Sequence, residues 1–365
     1  MADIQPSRNS LIISKLLKYT TPLCFLPDGK LVCYYHSSVL VMHSEEVVKS
    51  ISFPIKLKEK IMGNSHILMR FMRFGIRAAE TIDEESVVLS IRNTLYELNV
   101  ETGRLSEGFF CGKRIRPLIF TKLNGINGFD DGLYFGGYLS NREKRPVDIY
   151  HRTGEDKWNV IYTFPQGTIN HVHNIVADPY RNCLWVFTGD FDKSAAIWKV
   201  TDGFNKVECI ACDDQKWRGC VAFALPEGLL YATDTPFAEN HIYLMKDNSS
   251  IETIADISGS CIYGCQWKDK FVFSSTVEAD GRDETIWKLL TSKKLGSGIK
   301  DDYVRMYVGN LANGFKEVYK EKKDWLPFIF QFGVFKFPAG VNNGDTLYFQ
   351  PVATRENDMS LMSLE

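Results

Sequence analysis

Seven short runs of one character recur along this chain, at residues 31–36, 87–92, 133–138, 184–190, 229–234, 271–276 and 346–351. Each mixes aromatic and β-branched residues, as in Leu133-Tyr-Phe-Gly-Gly-Tyr138, and reads as a buried strand. Asp28-Gly29, Asp131-Gly132, Glu227-Gly228 and Asn343-Gly344 stand just before four of them and supply the positive φ angles of tight hairpins. From Val87 to Phe271 the runs are 46, 51, 45 and 42 residues apart. A second strand usually follows within a few residues, as at 39–42, 94–98, 147–150, 196–199 and 241–244, and a third at 158–162, 206–210 and 251–254. Helical periodicity is sparse.

A meander of about four strands repeated every 40–50 residues is the signature of one propeller blade. The chain is therefore expected to be all-β, a single closed β-propeller over residues 1–365 with about seven four-stranded blades, six being the alternative count. The last gap, from Phe271 to Thr346, spans 75 residues and requires an insertion, placed near 291–302 where Lys293-Lys294, Gly296 and Gly298 fall. The final blade runs out of sequence after Leu364, so residues 10–16 are expected to supply its outer strand and remove an exposed edge.

Composition excludes several classes. With 44% hydrophobic and 24% charged residues the chain is neither disordered nor collagen-like, and 43 basic against 45 acidic side chains give no field to attract nucleic acid. No stretch approaches the roughly 20 apolar residues of a membrane span, and residues 1–13 lack the pattern of a secretory signal. Nine cysteines, several inside apolar strand runs, read as reduced thiols of a cytoplasmic protein. Cys209 and Cys212, three apart on a strand, are expected on opposite faces and so not to share a metal; Cys261 and Cys265 share a face but lack a partner pair.

In a meander blade the start of the innermost strand and the end of the second lie at one rim. Blade four brings Asn170, His171, His173 and Asp190 there; blade five brings Gln215, Trp217, Arg218 and Asp234; blade six brings Tyr263 and Glu278. Blades two and three contribute Arg70, Arg73, Arg92, Arg114 and Arg116. Such groups are costly to bury unpaired and should surround a wet cavity or a polar ligand. The bland alternative is that they satisfy one another and trapped water in the channel. No cofactor is expected; a divalent metal at His171 and His173 is the weaker reading, because a two-residue spacing on a strand says little. There is no G-x-S-x-G, Walker or G-x-G-x-x-G motif. Trp185, Trp198, Trp267 and Trp287 read as core.

The strings His171-Val-His-Asn174, Asp178-Pro-Tyr180, Leu184-Trp-Val-Phe-Thr-Gly-Asp190, Gln215-Lys-Trp-Arg218, Thr233-Asp-Thr-Pro236 and Ser275-Thr-Val-Glu278 resemble sialidase-like propellers, related to BNR or Asp-box proteins, from bacterial surface-polysaccharide gene clusters. The resemblance covers about a third of the chain. Asp boxes are decayed to echoes at 153–158 and 201–204, and Arg114-Ile-Arg-Pro117 sits in the third repeat, so a sialidase mechanism does not transfer residue by residue. The resemblance implies a carbohydrate-active propeller, either a glycosidase-like or lyase-like enzyme on an acidic glycan or a non-catalytic glycan-binding scaffold of polysaccharide assembly. Catalytic candidates are His171, His173, Asp190, Asp234, Tyr263 and Glu278; substrate-binding candidates are Arg70, Arg73, Arg92, Arg114, Arg116, Trp217 and Arg218. Oligomeric state is left open.

Overall fold

A computed structural model describes residues 12–53, 66–73, 75–113, 115–280 and 285–365. They form seven four-stranded antiparallel sheets, the blades of a propeller. The second strands are Leu31–Tyr35, Ser86–Ile91, Gly132–Gly136, Cys183–Gly189, Gly228–Thr233, Lys270–Ser275 and Leu347–Val352, each on one of the seven repeated runs. Turn chemistry fixes these hairpins. Gly228 has φ of 154°, and a Cβ there would lie 2.3 Å from the Met245 carbonyl oxygen, so no other residue fits.

Each blade is covered on both faces by its neighbours, which is why its middle strands are apolar throughout instead of alternating. All seven residues of Cys183–Gly189 are buried. Seven apolar clusters fill the seven interfaces, from Leu23, Tyr34, Ile76 and Leu89 between blades one and two to Phe335, Phe349, Trp267 and Met306 between six and seven. Phe25, Leu31, Met42 and Leu361, with Leu16 and Leu17 against them, seal blade seven to blade one. The ring closes through Ile13–Lys18, the outer strand of blade seven, which pairs with Ser360–Leu364. The closing strand thus starts three residues and ends two residues beyond the expected 10–16, whose first two residues fall outside the described segments.

The insertion of blade six occupies 276–302, between its second and third strands, and holds the short helix Ile286–Thr291; the expected 291–302 is its second half. This half is strapped onto blade five and the approach to blade six. Gly298 donates to Pro236 O at 2.9 Å and Lys300 N to Ser258 O at 2.9 Å. No helix among the described residues is long and apolar enough to cross a membrane.

One expectation is corrected by a bulge. In the outer strand of blade four, Trp198 pairs with Cys209 and Ala196 with Cys212, because an extra residue enters between them. That puts Cys209 and Cys212 on one face. Burial and the adjacent Cys212 thiol push Cys209 up to about 11. All nine cysteines are free thiols.

Candidate functional site

The innermost strands share a defect. Pairing with the second strand slips by one residue at Leu23, Arg77, His173, Cys220 and Ile262, in blades one, two, four, five and six. A bulge of this kind leaves its extra residue unpaired and re-aims its side chain. All five extra residues line the axial channel. The channel has three parts. A polar mouth of about 400 Å³ is walled by Arg73, Arg116, Tyr138, Asn170, His171, His173, Asp190, Arg218, Asp234 and Glu278. A waist of about 170 Å³ follows, and beyond it an apolar chamber of about 550 Å³ lined by the later residues of the inner strands.

The mouth is built on blades four and five. His171 Nδ1 donates to Leu139 O at 2.8 Å and His173 Nδ1 to Gly219 O at 3.2 Å. The two Nε2 atoms lie 3.0 Å apart, and Asp190 Oδ1 stands 3.4 Å from His171 Nε2 and 3.2 Å from His173 Nε2. Gly189 admits this arrangement, since a Cβ there would lie 2.2 Å from His173 Cε1. Asp190 is clamped by its backbone: its N–H donates to Asn170 Oδ1 at 2.9 Å, and Gln215 Nε2 donates to its carbonyl at 3.1 Å. Arg218 Nη2 meets Asp190 Oδ1 at 3.0 Å and Asp234 Oδ2 at 3.5 Å. Burial pushes the Asp190 carboxyl up, but Arg218 and the imidazoles outweigh it and hold it well below the usual carboxylate range. Burial lowers His173 and keeps its ring neutral, against the pull of Asp190. Cys220 Sγ lies 3.2 Å from Asp234 Oδ2, and burial with that carboxylate raises its thiol far above the ordinary range. Asp234 Oδ1, Arg218 Nε and Gln215 Oε1 are buried without a protein partner. Ser260 donates to Glu278.

The waist has the opposite chemistry. Arg73, Arg77, Arg116 and Lys336 line it with Tyr138, Tyr263 and Gln331, and no carboxyl group among the described residues does. Burial, then Arg116 and Arg73, brings Arg77 down to about 10. Burial, then Arg77 and Arg73, brings Lys336 down to about 8. Three of the cations rest on rings: Arg73 on Phe332 at 5.4 Å, Arg116 on Tyr138 at 5.5 Å and Lys336 on Tyr263 at 6.0 Å. Burial raises the Tyr263 hydroxyl even though Arg77, Arg73 and Arg116 oppose it.

Of the residues singled out in the sequence, His171, His173, Asp190, Arg218, Asp234, Glu278, Arg73 and Arg116 meet in the mouth, and Tyr263 lies in the waist. Three do not join them. Arg70 is buried away from the channel, ion-paired to Asp324 and to Asp358 at 3.1 Å and donating to Phe330 O at 2.9 Å. Arg92 sits in the hairpin turn of blade two with φ of 56°. Trp217 packs into the blade four and five core beneath Lys216. Arg114 lies outside the described residues. Arg77, Lys336, Tyr138 and Cys220 were not singled out as site residues; Arg77 and Cys220 carry a signal only once the repeated bulge is known.

No protein-family model matches the chain, and no curated protein matches it. Solved structures do. A regucalcin, a calcium-binding protein from Agrobacterium tumefaciens str. C58, is 14% identical, with 86% of this chain and 94% of that chain covered and a TM-score of 0.46. A TolB-like protein of Agrobacterium tumefaciens, described as putative in its own structure, is 14% identical over 68% and 82% of the two chains, with a TM-score of 0.45. A chain of a mitotic checkpoint complex is 8% identical over 100% and 95%, with a TM-score of 0.55. At these identities the likeness is one of fold alone.

Proposed function

We propose that this is a carbohydrate-active propeller that binds an acidic sugar in the axial channel and acts on it there by elimination. The observation that carries the reading is the waist, where four cationic side chains converge on about 170 Å³ without a carboxyl group among the described residues lining it. Arg77, Arg116 and Lys336 are half-buried and Arg73 is exposed; cations partly withdrawn from water with no carboxylate among them are costly, and an anion from outside offsets that cost. Guanidinium groups suit a planar carboxylate, which they grip bidentately. The adjoining mouth presents acceptors, Asp190, Asp234, Glu278 and Asn170, which call for hydroxyl donors. A ligand with a carboxylate at one end and hydroxyls along its length satisfies both walls. The resemblance of residues 170–278 to sialidase-like propellers agrees with a sugar.

Within this reading Arg73, Arg77 and Arg116 neutralise the carboxylate and acidify the carbon next to it. Lys336, near 8, accepts the proton from that carbon; the electron pair forms a carbon–carbon double bond as the neighbouring carbon–oxygen bond breaks. Tyr263, kept protonated by burial, donates to the departing oxygen. The test is a panel of uronate-containing and neutral oligosaccharides. Uronates should bind, and Arg77→Ala should cost about 1.5–3 kcal/mol of that affinity. The product should absorb as a conjugated enoate, and Lys336→Met should abolish its formation while retaining measurable binding. Equal binding of neutral sugars would overturn the ligand class. Tight uronate binding without a new chromophore would overturn elimination in favour of hydrolysis, if reducing ends appear, or of a binding scaffold, if they do not.

A further inference from the structure

In the polar mouth, His171 and His173 each donate Nδ1–H to a backbone carbonyl, Leu139 O at 2.8 Å and Gly219 O at 3.2 Å. A carbonyl only accepts, so each ring, when neutral, is held in the tautomer that leaves a lone pair on Nε2. Those two lone pairs face each other at 3.0 Å, and Asp190 Oδ1 closes the triangle at 3.2 and 3.4 Å. With both rings neutral, three acceptor atoms therefore converge with no hydrogen among them. Such a triangle is repulsive unless positive charge enters it, as a proton on one ring or as a metal cation over all three atoms. From this geometry we infer that His171, His173 and Asp190 form a divalent transition-metal site, of the zinc or manganese class, whose open side faces the sugar cavity.

The dimensions fit. Donors bound about 2.0–2.1 Å from a tetrahedral zinc stand roughly 3.3 Å apart, and the three edges here bracket that value. A backbone carbonyl on the distal ring nitrogen is the usual device that orients a metal-bound imidazole. Two nitrogens and one carboxylate oxygen suit zinc, manganese or iron, whereas calcium prefers an all-oxygen shell. The groups around the triangle also leave room for positive charge. One guanidinium, Arg218, stands against two carboxyl groups, Asp190 and Asp234, and Asp234 Oδ1 is buried without a protein partner. Arg218 touches the same Asp190 Oδ1 that completes the triangle, so it holds the carboxylate in place from the side. Only three protein atoms converge, which leaves a coordination position turned to the 400 Å³ mouth, as in catalytic metal sites. A hydroxyl oxygen of the ligand would take that position, and the two imidazoles would act as ligands and not as bases.

The experiment needs no sugar, so its outcome is separate from that of the uronate panel. Protein stripped with a chelator and kept under reductant is titrated with Zn²⁺ by calorimetry and with Co²⁺ by visible absorption. One equivalent should bind, with a ligand-field spectrum of mixed nitrogen and oxygen donors. His173→Gln and Asp190→Asn should each weaken binding by at least about 100-fold, while the Cys209→Ser, Cys212→Ser double variant leaves it unchanged. Melting curves of the metal-free variants, compared with metal-free wild type, show that each is folded. Absence of stoichiometric binding in the wild type, binding untouched by His173→Gln in folded protein, or a sulfur-to-cobalt charge-transfer band lost in the cysteine variant would each overturn the site.

Discussion

Gly189→Ala is a small perturbation with a large local consequence. The added Cβ would stand 2.2 Å from His173 Cε1, 2.6 Å from Nε2 and 3.1 Å from Nδ1, whereas ordinary contact begins at 3.4 Å. The ring must retreat by about 1.2 Å, the difference between the ordinary and the built contact. Its movement is opposed by the Nδ1 bond to Gly219 O at 3.2 Å, and the retreat pulls Nε2 out of the triangle with His171 and Asp190. Losing one buried hydrogen bond costs about 1 kcal/mol and an off-rotamer side chain about another. A destabilisation of about 2 kcal/mol is therefore expected, read as a lowered urea midpoint with an unchanged slope. The decisive measurement is the double-mutant cycle with His173→Ala, which removes the ring that the methyl would strike. In that background Gly189→Ala should cost less than about 0.5 kcal/mol, giving a coupling of 1.5 kcal/mol or more. An equal cost in both backgrounds would show that the glycine answers to the backbone alone and would refute the account of how the histidine is seated.

Two further outcomes follow from other parts of the fold. Deleting residues 1–18 removes the strand Ile13–Lys18 and uncovers the edge of Ser360–Leu364, together with the contacts of Leu16 and Leu17, so the melting temperature should fall by at least about 5 °C; no change on calorimetry would mean that this strand does not close the ring. Lys336 is near 8 in the folded protein against an ordinary 10.5, so between those values the unfolded chain holds the extra proton and stability should rise with pH. Urea titrations from pH 7 to 10.5 should show that rise in wild type relative to Lys336→Met, and parallel curves would refute the depressed lysine.

How much of this was written in the chain divides along the range of the interactions involved. The seven second strands were legible because a hydrophobic run and a turn pair such as Asp131-Gly132 are local signals, and because covering both faces of a blade makes those runs apolar throughout. The rim rule, start of the inner strand with end of the second, brought His171, His173, Asp190, Arg218 and Asp234 together correctly because it uses only the meander connectivity. Register was beyond reach. A bulge is a property of two strands paired, so neither Arg77 nor Cys220 could be aimed into the channel from sequence, and the alternation expected for Cys209 and Cys212 failed at the same kind of defect. Arg70 failed for a different reason: its partners, Asp324 and Asp358, lie more than 250 residues away and capture it before it reaches the rim. Lys336 likewise meets Arg73 and Arg77 only because the ring closes, and ring closure is decided by the whole set of inter-blade contacts. The sequence by itself determined strands, repeats and the polar rim, since these depend on neighbours along the chain. Tertiary structure alone decided which cations share the waist and which lone pairs meet in the mouth, because those distances are set by pairing register and closure.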